Sequence, residues 1–248
     1  MTEEPYRWLE AVENRREYVR EQLKGGSPGF GAKLPDGILL LATGTGNSKV
    51  FELFDRHALA ALGHPADIEK IRQAAIDAAH TEAFTRAPED VSLRRLVSFG
   101  LSPQLKTNFE QIFSAPFLIE LLLAELHNDP ANDMLVRLHF DGSFEFVTTP
   151  FVVVGSHPES EKAAQTWLNE QLAGKTNHDE IIETMLQAWW VLRENKSFTA
   201  EIPSEDDRRQ GWRDATKNRT LEIAFLDRKS PRQARFAWLN VEKLKSVS

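Results

Sequence analysis

Residues 23–67 read LKGGSPGFGAKLPDGILLLATGTGNSKVFELFDRHALAALGHPAD. A glycine-rich segment ending at Leu34 meets Pro35-Asp36-Gly37, and an apolar run from Ile38 to Ala42 follows. Asp-Gly between two apolar segments is a hairpin signal, because Gly accepts the backbone angles that a tight turn demands. The ILLLA run has no polar alternation, so its strand is expected to be buried on both faces. Such a strand needs a covering layer on each side, which suggests two stacked sheets. Lys49 then stands alone before two more strands, and Pro65 sits where the first turn of a helix tolerates proline.

Working outward, Leu9, Val12, Tyr18, Val19 and Leu23 recur at roughly helical spacing among charges, and Gly25-Gly26 closes the pattern. An amphipathic helix over 9–24 follows, preceded by a short polar tail over 1–8. Ile68, Ile71, Ala75, Ala78 and Ala79 mark one face of the helix that begins near Pro65. A second long helix is expected from about Pro88 toward Phe113, with a kink at Ser102-Pro103. Strands are read at Phe117 to Glu125, Met134 to Phe140, Ser143 to Val147 and Phe151 to Val154, with Asp141-Gly142 as a turn. Helices at Glu159 to Leu172 and His178 to Glu194 precede strands at Leu221 to Leu226 and Arg235 to Trp238. The stretch 197–219 is polar and reads as a variable insertion. Helices, sheet, helices, sheet is the order of a sandwich with helices outside both sheets, although periodicity alone also permits an unrelated α+β domain.

Composition sets the outer limits. The chain of 248 residues is 41% apolar, enough for a sizeable core, and 13 Gly with 12 Pro is not a disordered composition. A net charge of −7 argues against a general nucleic-acid binder, whose phosphate contacts need a basic surface. The absence of Cys removes disulfides, thiolate catalysis and Cys-ligated zinc together, which suits a reducing cytosol. No stretch reads as an export signal or a membrane span, so a soluble, cytoplasmic protein is expected, with neither membrane nor nucleic acid among its partners.

The order of elements from about Asn14 to about Leu192, and again from Leu221 to Lys245, resembles the proteasome-type subunits, and within them the alpha-type subunits of archaea and actinobacteria. Those subunits place a Gly-Ser before the first strand, a Gly closing the first hairpin, a Lys ahead of an apolar strand ending in Asp, and a Gly before the first long helix. Here these are Gly26-Ser27, Gly37, Lys49 with Val50, Leu53 and Asp55, and Gly63, in register without a gap. The archaeal Tyr-Asp-Arg gate segment is absent, and Phe51 to Ala66 is closer to the actinobacterial branch. The resemblance implies a single domain over 1–248 with the four-layer αββα sandwich of N-terminal-nucleophile hydrolases. It also implies a heptameric outer ring seated on beta-type subunits, with residues 1–8 as a gate for unfolded substrates.

Catalytic members of that fold use a freed N-terminal Thr, an acidic residue ending the second strand and a Lys opening the third. A hydroxyl nucleophile needs a base for its proton and a carboxylate to hold the Lys charged and oriented. In this register the three positions hold Ser27, Thr43 and Lys49, so no catalytic residue is expected. The resemblance gives Lys49 another task, receiving the C-terminal carboxylate of a hexameric ATPase activator's tail, with Gly26 and Gly63 letting the tail's backbone approach. The alternatives are a self-processing Ser/Thr peptidase of the same fold, or a ring-forming scaffold without proteolysis. No cofactor and no metal are expected. Gly44 to Lys49 lacks the Gly-Lys-Ser/Thr end of a phosphate loop and reads as a turn, and His57 and His64 read as core or surface residues. Trp189-Trp190 reads as packing rather than as a ligand platform.

Overall fold

The computed structural model describes residues 4–194, 196–198 and 202–240. Helix α1 (Glu4–Leu23) leads into a hairpin of β1 (Gly29–Leu34) and β2 (Gly37–Gly44), then β3 (Val50–Phe54), β4 (His57–Gly63) and α2 (Pro65–Thr85). After a 3-10 turn at Pro88–Asp90 come α3 (Leu93–Arg95), a π-turn at Leu96–Leu101 and α4 (Ser102–Glu110). Strands β5 (Ile119–Glu125), β6 (Met134–His139), β7 (Phe144–Phe146) and β8 (Phe151–Val154) follow. The chain then forms α5 (Pro158–Gln171), α6 (His178–Arg193), α7 (Glu205–Thr216), β9 (Thr220–Asp227) and β10 (Phe236–Trp238).

Two five-stranded antiparallel sheets result, ordered β10-β9-β2-β1-β8 and β3-β4-β5-β6-β7. The ILLLA run explains how they stack. Ile38, Leu40 and Ala42 meet Ala58, Ala60, Leu122 and Ala124 of the second sheet, while Leu39 and Leu41 point the other way to Leu168, Leu186 and Trp189 of α5 and α6. A third apolar cluster joins Leu59, Leu121 and Leu123 to Ile68, Ile71 and Leu105 of α2 and α4. Period-two alternation along every central strand thus fills three apolar layers between four layers of structure, the αββα sandwich that the sequence leads one to expect.

Three elements differ from the sequence reading. Helix α1 starts at Glu4, so residues 4–8 extend it instead of forming a tail, and residues 1–3 lie outside the described residues. The long helix after Pro88 is interrupted before Pro103, not at it. A proline ring clashes with the carbonyl four residues back, here Phe99, so the distortion falls inside the π-turn. The polar stretch 197–219 contains α7, capped by Ser204, whose hydroxyl accepts from the Asp207 N–H at 3.1 Å, and anchored by the buried Trp212.

Helix α1 is held near its middle by Arg15. Its guanidinium donates to the carbonyls of Asn108, Ile112 and Ser114 at 3.2, 3.2 and 2.7 Å, so it caps the C-terminus of α4 where carbonyls lack helical partners. Val19 and Leu23 are buried beside it, whereas Trp8, Leu9 and Tyr18 are about half exposed.

Candidate functional site

Strand β2 ends at Gly44, and the following loop returns the chain to β3 through Lys49. Glu222 of β9 fixes that return, since its buried carboxylate accepts the Lys49 and Val50 backbone N–H groups at 2.8 and 2.9 Å. On the other side the Lys49 carbonyl accepts from the Ala61 N–H at 2.8 Å. Lys49 is therefore locked by its backbone, and its ammonium has no carboxylate at ion-pair distance among the described residues. Burial and the neighbouring Arg219 guanidinium hold that ammonium below its ordinary value, with Glu222 acting against them.

Gly26 and Gly63 lie around Leu62, one residue beyond the Lys49–Ala61 pairing. A Cβ at Gly26 would stand 2.7 Å from Leu62 Cγ, and one at Gly63 would stand 2.0 Å from the Leu118 carbonyl oxygen. Gly63 also has φ +139, a conformation that side chains resist. Both glycines therefore have a packing reason inside the chain. Gly26 further lines a cleft of about 460 Å³ with Lys24, His157, Arg193, Lys196 and Arg219. Sequence reading found Lys49, Gly26 and Gly63 but missed this cleft, because Arg193 and Arg219 belong to separate segments that only the sandwich joins.

The position of the catalytic nucleophile is occupied differently. Ser27 Oγ is buried, lies 2.6 Å from Thr43 Oγ1, and accepts from the Trp189 indole N–H at 2.7 Å. No amine or carboxylate is bonded to that hydroxyl among the described residues. Thr43 thus holds Ser27 but cannot charge it. Trp189 is part of the core, and the Arg193 and Arg219 guanidinium groups lie 5.5 and 5.8 Å from its ring centre.

The remaining sequence candidates are structural. Of Gly44 to Lys49, Gly44 ends β2 and the remaining residues form an irregular turn. His57 is fully buried near Glu125, and His64 Nδ1 accepts the Ala66 N–H at 3.3 Å to cap α2. Among the described residues no group of His, Asp and Glu could hold a metal ion, and no helix is long and apolar enough to cross a membrane.

A second polar recess, about 290 Å³, gathers Glu120 of β5, His139 of β6, Asp141 of the turn that follows it and Glu161 of α5. Burial pushes the Glu120 carboxyl up to about 7, although His139 Nδ1, 2.7 Å away, favours its charge. Burial works against the charged form of His139, yet Glu120 wins and raises it. Between about pH 4.5 and 7 folded Glu120 keeps a proton that the unfolded chain has released, so stability falls as pH rises through that window. His139 acts with the same sign. Replacing Glu120 with Gln should flatten the decline of melting temperature between about pH 5 and 8 by at most about 3 kcal/mol of pH-dependent stability. An unaltered slope in thermal unfolding of Glu120→Gln would show that the Glu120–His139 pair does not carry the pH dependence.

The Proteasome subunit family model matches residues 26–202. Among curated proteins, the proteasome subunit alpha of Geodermatophilus obscurus is 30% identical over 226 residues, 90% of this chain and 73% of that protein. The proteasome subunit alpha of Streptomyces griseus is 28% identical over 229 residues, covering 92% of this chain and 77% of its own length. That of Actinosynnema mirum reaches 32% over 134 residues, 53% of this chain and 50% of that protein. The chain belongs to the proteasome subunit family, with the N-terminal-nucleophile hydrolase sandwich as its fold, and its relatives are alpha-type subunits of bacteria. Membership of that family implies assembly with other proteasome subunits.

Proposed function

We propose that this chain is the non-catalytic alpha subunit of a bacterial proteasome core particle, forming the outer ring through which unfolded substrates reach catalytic beta-type subunits. The carrying observation is the state of Ser27. Its hydroxyl is occupied by Thr43 and Trp189, lies inside the chain beyond a whole helix, and touches no base among the described residues. The exposed Trp8, Leu9 and Tyr18 on α1 support contact with neighbouring subunits in a ring.

In this reading Lys49 receives the terminal carboxylate of an ATPase activator's tail, beside Gly26 and Gly63. A partly buried ammonium with no carboxylate at ion-pair distance among the described residues, on a backbone fixed by Glu222 and Ala61, is suited to that ligand. One such contact contributes roughly 1.5–3 kcal/mol, so a stable complex requires several pockets to be engaged together. The first few residues are assigned to gating of the pore, on the resemblance to alpha-type subunits.

Ser27→Ala tests the non-catalytic assignment. Peptide hydrolysis by the alpha–beta assembly should be unchanged, while the melting temperature falls because the buried Trp189 N–H loses its acceptor, a cost of about 1–3 kcal/mol. Loss of hydrolysis with the fold intact would instead make Ser27 a nucleophile and favour the self-processing peptidase.

A further inference from the structure

The cleft above Gly26 holds more positive charge than a single terminal carboxylate requires. Arg193 ends α6, Lys196 follows it, and Arg219 immediately precedes β9. All three line the cleft, and among the described residues none has a carboxylate at ion-pair distance. Lys24, on the same wall, is paired to Glu21. Among the described residues that line the cleft, Glu161 is the only carboxylate, and it is nearly buried and hydrogen-bonded to the backbone of Gly155 and His157.

The cations are also held together by packing. Arg193 and Arg219 both lie within 5.8 Å of the centre of the Trp189 ring, and Lys196 stands 4.0 Å from that of Trp190. Trp189 is itself fixed by its bond to Ser27. Burial, and then the charge of Arg193, act against the proton on Arg219, and Arg219 in turn acts against that on Lys49. Like charges crowded on rigid rings without a counter-ion gain from any anion that reaches them.

We propose that Arg193, Lys196 and Arg219 form a second anion subsite, which takes acidic side chains of a docking peptide upstream of its C-terminal residue. The proposal rests on the reading of Lys49 as the partner of the terminal carboxylate and adds the chemistry of the rest of the tail. A peptide is favoured as the ligand because the cations share one cleft with Gly26, which the proposed reading of Lys49 places beside the docking tail. Its acidic groups would meet the N–H edges of the guanidinium groups, which bind carboxylates in a fork while their faces stay over the indole ring.

Four labelled peptides test this, alike except for a free or amidated C-terminus and for Glu or Gln at the positions upstream. Titrated by fluorescence anisotropy into the assembled full-length chain, the Glu peptides should bind at least about tenfold more tightly than the Gln peptides at low salt, and the gap should narrow as salt rises. Arg193→Gln and Lys196→Gln, both at exposed positions, should bring the Glu-to-Gln ratio toward one and leave the ratio of acid to amide unchanged. Discrimination of acid from amide without discrimination of Glu from Gln overturns the subsite and leaves Lys49 its role. Preference for Glu with indifference to the terminal group keeps the subsite and removes the role of Lys49. Failure to bind any of the four overturns both.

Discussion

Lys49→Ala should leave short-peptide hydrolysis by the assembled particle intact and reduce activator-driven degradation of a folded substrate by at least about tenfold. Removing the charge-assisted hydrogen bond from one pocket costs roughly 1.5–3 kcal/mol, about a ten- to hundredfold change in affinity, and the cost repeats at every pocket the activator uses. Unfolding would not account for it. The lysine side chain has no carboxylate partner among the described residues, and burial and Arg219 already disfavour its charge, so its removal should not lower the melting temperature. The backbone bonds to Glu222 and Ala61 do not depend on the side chain. Undiminished degradation of the folded substrate by Lys49→Ala would end the assignment of this residue.

Gly63→Ala should have the largest effect on stability. At φ +139 the backbone already resists a side chain, and the new methyl would stand 2.0 Å from the Leu118 oxygen and 2.8 Å from the Ile119 Cα. Both are backbone atoms of the strand entry paired with Gly63, so no rotamer change relieves the clash. A destabilisation of about 4 kcal/mol is expected, equivalent to a fall of roughly 10 °C in melting temperature for a chain of this size. Gly46→Ala provides the comparison. Gly46 has φ +131 with nothing within 4 Å, so it reports backbone strain alone, about 1 kcal/mol. Equal shifts in the two variants would mean that the β4–β5 junction yields and that close packing is not the reason for Gly63.

Much of this was legible in the sequence because the central strands are unusually plain. Ile38 to Ala42 could be buried only on two faces, and Asp36-Gly37 and Asp141-Gly142 fixed the turns on either side of the stacked sheets. Helix α7 was not legible, since Glu205 to Thr216 shows little apolar periodicity and is held by one large residue, Trp212. The Ser204-x-x-Asp207 cap was the available signal. The π-turn was hidden for a different reason. Pro103 announces a distortion, but whether the helix kinks at the proline or widens ahead of it depends on packing that the sequence does not display. At the site, Lys49, Gly26 and Gly63 could be aligned to a family pattern within one 45-residue stretch. Arg193 and Arg219 could not, because their proximity is created by Trp189, which brings α6 and the entry to β9 beside Ser27.

This chain is proposed to be an unprocessed, non-catalytic member of a proteasome assembly. Mass spectrometry of the chain co-expressed with beta-type subunits, first under native and then under denaturing conditions, tests it most directly. A ring-sized complex containing both chain types is expected, in which this chain keeps every residue from Thr2 onward and only the beta-type chain is processed. A product of this chain that begins at Ser27, or a chain that never joins the beta-type subunits, would contradict it.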